Sequence, residues 1–258
     1  MVYVHGFASS RLEPALAADL LPRFAVRIVA FDRPGYGGSD PLPAPGLDAT
    51  AASLLEALDL LGLDRPALCG TSAGAPYAVA MAGLAPGRFR RLALLSGLAP
   101  DRLAAEGGAA AWMPRLARNP RLAAALLRPV TAAATRPRVA AALLRPLDLQ
   151  LRRYVDDPEL RRSVVRALRA SLGEAVAQGE RGLLDDLAAL TRPWPMPLLP
   201  PGLPGLVVHG QEDWIVPVAH AERLGQALAA AEMVITADEH VSAVVNHRER
   251  ILDWLAGS

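Results

Sequence analysis

The sequence has very little cysteine and no lysine: Cys69 is its one cysteine among 258 residues. A single cysteine excludes an internal disulfide, and the apolar run around Cys69 indicates a small buried side chain. No basic leader precedes a long apolar run, so the sequence predicts no signal peptide. No apolar run of membrane-spanning length is free of arginine, aspartate and proline. We therefore expect a soluble, cytoplasmic protein.

An excess of one charge is also lacking, because 27 basic and 26 acidic residues leave a net charge of +1. This balance argues against a nucleic-acid-binding protein, and we expect a small-molecule substrate and neither nucleic acid nor a membrane as partner. Hydrophobic residues make up 52% of the chain, enough for one large core or for a core with a subdomain.

A glycine-flanked serine follows the apolar run at residues 67–69. The segment reads Gly70-Thr71-Ser72-Ala73-Gly74 and continues as an alanine-rich helical pattern. Such a strand, tight turn and helix is the pattern of a nucleophile elbow, in which glycines make room on both sides of a strained serine. A flexible loop is the alternative, because the string is common in a chain with 21 glycines.

Short apolar runs alternate with helical patterns in residues 1–100 and again in residues 196–258. This alternation predicts an α/β fold with a mostly parallel sheet and helices on both faces. The predicted strands are residues 2–5, 26–31, 67–69, 91–95, 205–209 and 233–235.

Residues 101–195 differ from the rest, since they combine alanine, leucine and arginine with regularly spaced prolines and contain no convincing strand. We predict several short helices that form a cap over the carboxyl edge of the sheet, with the arginines on solvated faces. Residues 1–100 and 196–258 would form the core. Aromatic and sulfur-containing residues of the cap are candidate pocket walls or cap core: Trp112, Met113, Tyr154 and Trp194.

An elbow serine needs a base and a carboxylate that orients the base. His240 lies in the loop after the last strand, and Asp213 follows the strand before it, so the order Ser72, Asp213, His240 fits this architecture. Two backbone N–H groups must bind the oxyanion, and we expect them from Phe7 and Ala73. The alternatives for the acid are Glu212, Glu239 and Asp101.

Together these segments resemble the α/β-hydrolase superfamily, and in particular its soluble bacterial serine hydrolases with a helical cap. The resemblance is carried by His5-Gly6-Phe7, by Asp32 to Ser39, by Gly70 to Ala78, by His209 to Asp213 and by His240-Val241-Ser242. It implies the triad Ser72, Asp213 and His240, oxyanion donors Phe7 and Ala73, and no metal or organic cofactor.

The resemblance also implies a pair of strands before the first predicted strand, and this sequence begins on that strand. Residues 26–31 would then form a bare apolar sheet edge, which invites pairing with another chain. Three alternatives would cover this exposed edge: a start site upstream of Met1, another segment of the chain that covers it, or a homodimer through it.

The expected function is hydrolysis of an ester or thioester of a small to medium, largely apolar acid through an acyl-enzyme on Ser72. The same fold also hosts lyases, C–C hydrolases and acyltransferases. An inactive protein or a non-catalytic binding protein on this fold is a further alternative.

Overall fold

The computed structural model describes residues 1–24, 26–103, 105–106, 108–197, 199–228 and 231–257. Within these ranges the strands form one six-stranded sheet in the order β2-β1-β3-β4-β5-β6, and every neighbouring pair is parallel. The predicted α/β fold with a mostly parallel sheet is thereby confirmed. The strands are β1 (Val2–Val4), β2 (Val29–Ala30), β3 (Leu68–Thr71), β4 (Leu92–Leu95), β5 (Gly205–Gly210) and β6 (Ala231–Thr236).

The three strands at the centre of the sheet are buried throughout, which explains their nearly continuous apolar sequence. Successive side chains still point to opposite faces. Leu92 and Leu94 belong to the core on one face, whereas Ala93 and Leu95 belong to the core on the other. Helices therefore cover both faces of the sheet.

Three α-helices accompany the first strands, and the second and third of these helices flank the elbow strand; three short α-helices close the chain. Helices α2 and α3 pack against each other, and α3 also contacts β1, β3 and β4. These helices are α1 (Leu21–Phe24), α2 (Leu47–Leu60), α3 (Gly74–Leu84), α10 (Ala219–Ala227), α11 (Ser242–Asn246) and α12 (Arg248–Ala256).

Between β4 and β5 the described residues form two short 3-10 helices (Pro100–Arg102 and Ala109–Trp112), six α-helices and no strand. Prolines stand at the first position of three of the α-helices, where the missing N–H is not needed, so these prolines mark helix starts. Pro129, in contrast, lies inside a helix that continues to Ala134. We call residues 113–191 the helical insertion; the wider cap boundaries of 101 and 195 stay a prediction. Its helices are α4 (Met113–Ala117), α5 (Pro120–Ala134), α6 (Pro137–Leu143), α7 (Arg145–Tyr154), α8 (Pro158–Ala175) and α9 (Arg181–Thr191).

Strand β2 lies at one edge of the sheet and is much shorter than the predicted strand at residues 26–31. It pairs with β1 through Val2 opposite Val29 and Tyr3 opposite Ala30, and Val4 of β1 pairs with β3 alone. In the described part of the chain β2 has no second strand neighbour. A homodimer through this edge stays a prediction.

Candidate active site

The elbow has the strained geometry that its sequence predicts. Ser72 stands between β3 and α3 with φ of 53°, in the left-handed region that non-glycine residues rarely adopt. A Cβ on Gly70 would lie 2.8 Å from the Cβ of Ala78, and a Cβ on Gly74 would lie 2.2 Å from the carbonyl oxygen of Val4. The turn therefore requires glycine at both positions.

Three side chains from distant parts of the chain meet at this turn. His240 Nε2 lies 3.0 Å from Ser72 Oγ, and His240 Nδ1 lies 2.7 Å from Asp213 Oδ2. The hydroxyl of Ser96, at the end of β4, donates to the His240 carbonyl oxygen at 2.7 Å and holds the backbone of the histidine. The structure thus brings together the predicted nucleophile, base and acid in one hydrogen-bonded line.

The carboxylate of Asp213 is buried, and each of its oxygens has hydrogen-bond donors. Oδ1 accepts the N–H groups of Ile215 at 2.9 Å and Val216 at 2.8 Å. Oδ2 accepts from His240 and lies 3.3 Å from Nε2 of His209, which donates to the Val216 carbonyl. These contacts fix the carboxylate in the orientation that faces the imidazole.

The other candidate acids are engaged elsewhere. Glu212 accepts the Tyr154 hydroxyl at 2.7 Å, and Asp101 forms an ion pair with Arg223. Glu239 accepts two backbone N–H groups in the turn that follows it. Among the described residues, none of these three carboxylates is hydrogen-bonded to the imidazole, whereas that of Asp213 is. The role of Asp213 as the catalytic acid stays a prediction.

The pairing of His240 with Asp213 shifts the pKa of both groups. Burial lowers the pKa of His240, but the charge and hydrogen bond of Asp213, with smaller contributions from Glu239 and Glu13, raise it above its ordinary value. Burial raises the pKa of Asp213, but the two neighbouring histidines lower it below its ordinary value. The carboxylate therefore stays ionised at neutral pH and directs the Nε2 lone pair of the histidine at Ser72.

The loop after β1 lies directly beside the nucleophile, since a Cβ built on Gly6 would be 3.7 Å from Ser72 Oγ. Neither the N–H of Phe7 nor that of Ala73 donates a hydrogen bond within the described part of the chain. Ala73 is also the residue before the first turn of α3, where backbone N–H groups point out of the helix. Two unused donors thus border the space next to Ser72.

His5 holds this loop as a neutral side chain. The Gly6 carbonyl oxygen lies 2.9 Å from Nδ1, and the backbone N–H of Arg33 lies 3.0 Å from Nε2. A carbonyl only accepts and an N–H only donates, so the Nδ1–H tautomer satisfies both contacts. Burial and the charge of Arg33 hold the pKa of His5 well below its ordinary value.

A buried ion pair connects the same loop with the insertion. Both Nη atoms of Arg33 lie 2.8 Å from the carboxylate of Asp186 in α9, and Nη2 also donates to the Gly6 carbonyl at 3.0 Å. The hydroxyls of Tyr36 and Tyr77 donate to the same carboxylate at 2.6 and 2.7 Å. Sequence reasoning missed this group, although Arg33, Tyr36 and Tyr77 all lie within the segments that carry the family resemblance.

Glu13 is a second buried acid at the loop. Its Oε2 accepts the Gly6 N–H and the Ser9 hydroxyl, each at 2.8 Å. Burial raises the pKa of Glu13 above its ordinary value, although these hydrogen bonds oppose the rise. The Ser9 hydroxyl also lies 2.8 Å from that of Ser171 in α8, so a further polar contact joins the loop to the insertion.

A cavity of about 270 Å³ opens beside Ser72 and His240. The insertion contributes only leucines to its lining, and the core contributes mainly apolar side chains and small hydroxyls. Glu13 is the one carboxylate among the described lining residues, and they include no arginine. Besides Ser72 and His240, the lining consists of Gly6, Phe7, Ala8, Ser9, Glu13, Leu16, Thr71, Leu144, Leu147, Leu168, Leu172, Ile215, Val241 and Val244.

Two of the predicted pocket residues, Trp112 and Met113, are not among the described residues that line the cavity. Trp112 is 39% exposed and touches the ring of Phe7 edge to face at 5.9 Å between centroids. Met113 is buried in the large core cluster. Both therefore contribute to packing at the start of the insertion.

The other two predicted pocket residues, Tyr154 and Trp194, donate hydrogen bonds to carboxylates that do not line the cavity. The Tyr154 hydroxyl donates to Glu212, and Trp194 Nε1 donates to Asp48 in the first turn of α2 at 3.1 Å. The described lining of the cavity includes none of the four residues that we predict as pocket walls or cap core; Leu144 and the leucines of α7 and α8 line it from the insertion. A role of the four residues in substrate binding stays a prediction. Helical periodicity marks leucines as core, and only the packing of the helices decides which of them border a cavity.

The described residues contain no group of three or more histidine, cysteine, aspartate or glutamate side chains placed to hold a metal ion. No helix in this part of the chain combines the length and apolar character that a membrane crossing requires.

A parallel sheet with a serine at the strand-to-helix elbow defines the class of α/β-hydrolase folds. The family model described as alpha/beta hydrolase fold matches residues 1–246. The chain therefore belongs to the α/β-hydrolase family of enzymes.

Two relatives are similar in sequence. A 2-hydroxy-6-oxononadienedioate/2-hydroxy-6-oxononatrienedioate hydrolase of Pseudomonas putida is 36% identical over 125 residues, 48% of this chain and 39% of that protein. The dihydrolipoyllysine-residue acetyltransferase component of an acetoin cleaving system, also of Pseudomonas putida, is 30% identical over 233 residues, 86% of this chain and 54% of that protein. The match thus spans about half or less of each relative.

Solved structures are similar in fold. An alpha/beta hydrolase fold protein from Nakamurella multipartita superposes with a TM-score of 0.67 over 100% of this chain and 92% of that chain, at 21% identity. At this identity the likeness describes the fold alone.

Proposed function

We propose that the chain is a serine hydrolase that cleaves an ester or thioester with an uncharged, apolar acyl group. The observation that carries the proposal is the hydrogen-bonded line from Ser72 through His240 to Asp213, at 3.0 and 2.7 Å. The N–H groups of Phe7 and Ala73, which have no hydrogen-bond partner among the described residues, belong to the loop beside Ser72 and to the residue after it.

In the proposed reaction Ser72 Oγ attacks the carbonyl carbon while its proton passes to His240 Nε2. The N–H groups of Phe7 and Ala73 bind the oxyanion, and each such donor contributes about 3 kcal/mol in the transition state. His240 then returns the proton to the leaving alkoxide or thiolate. A water molecule that His240 deprotonates attacks the acyl-serine, the bond between the acyl carbon and Ser72 Oγ breaks, and His240 returns the proton to Oγ as the acid leaves.

The lining of the cavity supports an apolar acyl group. Four leucines of the insertion line the cavity: Leu144, Leu147, Leu168 and Leu172. A substrate carboxylate in this place would be desolvated without a cation to pair with, and Glu13 would repel it if ionised. A cavity of about 270 Å³ suits a small to medium acyl chain.

A C–C hydrolase is the second candidate, because one relative is named as a 2-hydroxy-6-oxononadienedioate hydrolase. A dioate carries two carboxylates, and the described lining residues include no arginine to bind them. Acyl transfer to an acceptor other than water is a third reading of the same acyl-enzyme. We favour hydrolysis of a neutral ester, because an uncharged acyl group matches the mainly apolar residues that line the cavity.

Labelling by a fluorophosphonate probe tests the nucleophile. We expect wild-type protein to be labelled, Ser72→Ala to lose the label, and Ser9→Ala to keep it, since Ser9 is another hydroxyl that lines the cavity. Labelling that persists in Ser72→Ala, or folded wild-type protein without label, would contradict the proposal.

The p-nitrophenyl esters of butanoate and of hydrogen succinate, equal in chain length, test the substrate class. We expect a kcat/KM at least about a hundredfold higher for the neutral ester. Equal values, or turnover of a dioate C–C substrate in place of both esters, would favour the second candidate.

A further inference from the structure

Arginines are concentrated in one part of the helical insertion. Residues 113–155 contain nine arginines and a single acidic residue, Asp148, whereas the rest of the chain contains 18 arginines and 25 acidic residues. The balanced total, on which the expectation of no membrane partner rests, thus conceals a strongly basic region on α4 to α7. All nine are exposed: Arg115, Arg118, Arg121, Arg128, Arg136, Arg138, Arg145, Arg152 and Arg153.

Helix α5 presents its larger apolar side chains to solvent. The residues that it buries fully are two alanines and a threonine. In contrast, Leu122, Leu126 and Val130 are 49%, 54% and 45% exposed. These three lie along one face because they are spaced four residues apart, and Arg121 and Arg128 flank them. A surface helix ordinarily buries leucine and exposes alanine, so the reversal indicates a partner surface.

The junction of α6 and α7 connects this exterior with the cavity. Leu144 and Leu147 line the cavity beside Ser72. Leu143 and Leu149, one and two residues away from them, are 45% and 53% exposed. Apolar side chains therefore continue from the cavity wall to the outer surface of the insertion within one short stretch of chain.

We propose that this region adsorbs to the surface of an anionic lipid layer. The docking face consists of the five exposed side chains Leu122, Leu126, Val130, Leu143 and Leu149 together with the nine arginines of residues 113–155. Of these arginines, Arg128 forms an ion pair with Glu180 and Arg152 one with Asp148. Arginines attract the headgroups and the aliphatic side chains enter the boundary of the acyl chains, the combination that interfacial segments use.

The charge on the docking face decides between the possible occupants. A second copy of the chain would bring two strongly basic surfaces together, and their repulsion disfavours self-association there. A nucleic acid would pair with the arginines but offers nothing to the exposed leucines. An anionic lipid layer satisfies both sets of side chains.

Sedimentation with vesicles tests the proposal. We expect wild-type protein to bind vesicles of phosphatidylglycerol and phosphatidylcholine at low salt and not to bind pure phosphatidylcholine. Arg115→Gln, Arg118→Gln and Arg121→Gln combined should weaken partitioning by about a hundredfold, at about fivefold for each arginine. Leu122→Ser with Leu126→Ser should weaken it by about tenfold.

The matched control is Leu60→Ser with Leu61→Ser at the end of α2, two exposed leucines outside the docking face. It should bind vesicles as wild type does, and circular dichroism should show all variants folded. Equal binding to both vesicle types, or equal loss in the control, overturns the proposal. Binding to a soluble polyanion as tight as to vesicles, with no effect of the leucine variants, also overturns it and identifies another polyanionic partner.

Failure of this proposal and failure of the proposed hydrolase activity are distinguishable. Vesicle binding needs no nucleophile, so Ser72→Ala should bind as wild type does. Hydrolysis of a water-soluble ester needs no docking face, so the leucine variants should keep wild-type turnover of p-nitrophenyl butanoate.

Discussion

Arg33 and Asp186 form a two-pronged ion pair with both N–O distances at 2.8 Å and side chains only 2% and 4% exposed. The carboxylate also accepts two tyrosine hydroxyls, so each of its oxygens has two donors. Because Arg33 also donates to the Gly6 carbonyl, the pair joins helix α9 of the insertion to the loop beside the nucleophile. The fully buried charge is tolerated since its partners replace the lost water.

Breaking this pair should be costly. Asp186→Asn leaves the Arg33 guanidinium buried without its counter-charge, and we expect the free energy of unfolding to fall by about 3–5 kcal/mol in urea titrations. Arg33→Met with Asp186→Leu should restore a large part of the loss. Glu159→Gln, which breaks an exposed ion pair with Arg162, is the control and should change stability by less than about 0.5 kcal/mol. Similar losses of stability in Asp186→Asn and Glu159→Gln would contradict the importance of the buried ion pair.

The pH dependence of hydrolysis should report His240. The neutral imidazole is the base, and its pKa is raised above the ordinary 6.5, so kcat/KM should fall as the pH drops through a value above 6.5. Asp213→Asn removes the charge that raises this pKa and favours the wrong tautomer. We expect kcat to fall by about 10⁴ and the acid limb to move to lower pH.

Glu212→Gln, one residue away, is the control for Asp213→Asn. Its carboxylate contacts Tyr154 and not the imidazole, so kcat/KM should stay within about threefold of wild type. An unchanged acid limb in Asp213→Asn would argue against Asp213 as the partner of the base.

Glu13→Gln should increase stability at neutral pH. The raised pKa of Glu13 means that its stabilising contribution is present below the unfolded value of 4.5 and is lost as pH rises through the folded pKa. Glutamine keeps an acceptor for the Gly6 N–H without the charge. The free energy of unfolding of the variant should therefore rise relative to that of wild type as pH rises from acid to neutral. Because the Glu13 charge also helps to raise the pKa of His240, the acid limb of kcat/KM should move to lower pH.

Unfolding free energies measured across this pH range check the prediction for Glu13. Glu56→Gln, an exposed glutamate of α2, should leave both the stability profile and the acid limb unchanged. A Glu13→Gln variant that loses stability only at neutral pH would mean that the ionised carboxylate is favourable in the folded protein.

Gly74→Ala should disrupt the elbow. The added Cβ would lie 2.2 Å from the Val4 carbonyl oxygen and 2.6 Å from that of His5, both rigid backbone atoms. We expect a loss of stability of about 3 kcal/mol or more and loss of fluorophosphonate labelling at Ser72. Gly173→Ala is the control in α8, where a Cβ meets nothing within 4 Å and should stabilise the helix by up to about 1 kcal/mol. Wild-type labelling in Gly74→Ala would contradict the rigidity of the turn.

A cation placed in the cavity should change the substrate preference. Leu168→Arg puts a guanidinium among the lining residues, so kcat/KM should fall for p-nitrophenyl butanoate and rise for the succinate half-ester. We expect the ratio to change by about a hundredfold, measured against Leu168→Met, which keeps the volume and the apolar character. If the ratio stays as in wild type, Leu168 does not face the acyl group.

Local patterns predicted the sheet because each buried strand is a short apolar run between turn residues. The cap region was predicted as helical for the same reason, from its prolines and the absence of strand runs. The predicted strand at residues 26–31 is longer than the observed β2. An apolar run marks residues that can form a strand, but not how many of them pair with the neighbouring strand. The sequence does not determine how the helices pack. Residue type alone therefore marks Trp112, Met113, Tyr154 and Trp194 as candidate pocket walls or cap core.

The sequence by itself determined the elbow and the chain order of Ser72, Asp213 and His240, because glycine spacing and strand ends are local properties that parallel topology carries to one sheet edge. Only the tertiary structure decided which carboxylate meets the imidazole, which leucines border the cavity and that Arg33 meets Asp186. Those contacts join residues up to 153 positions apart. They depend on how whole helices dock, which neither composition nor periodicity encodes.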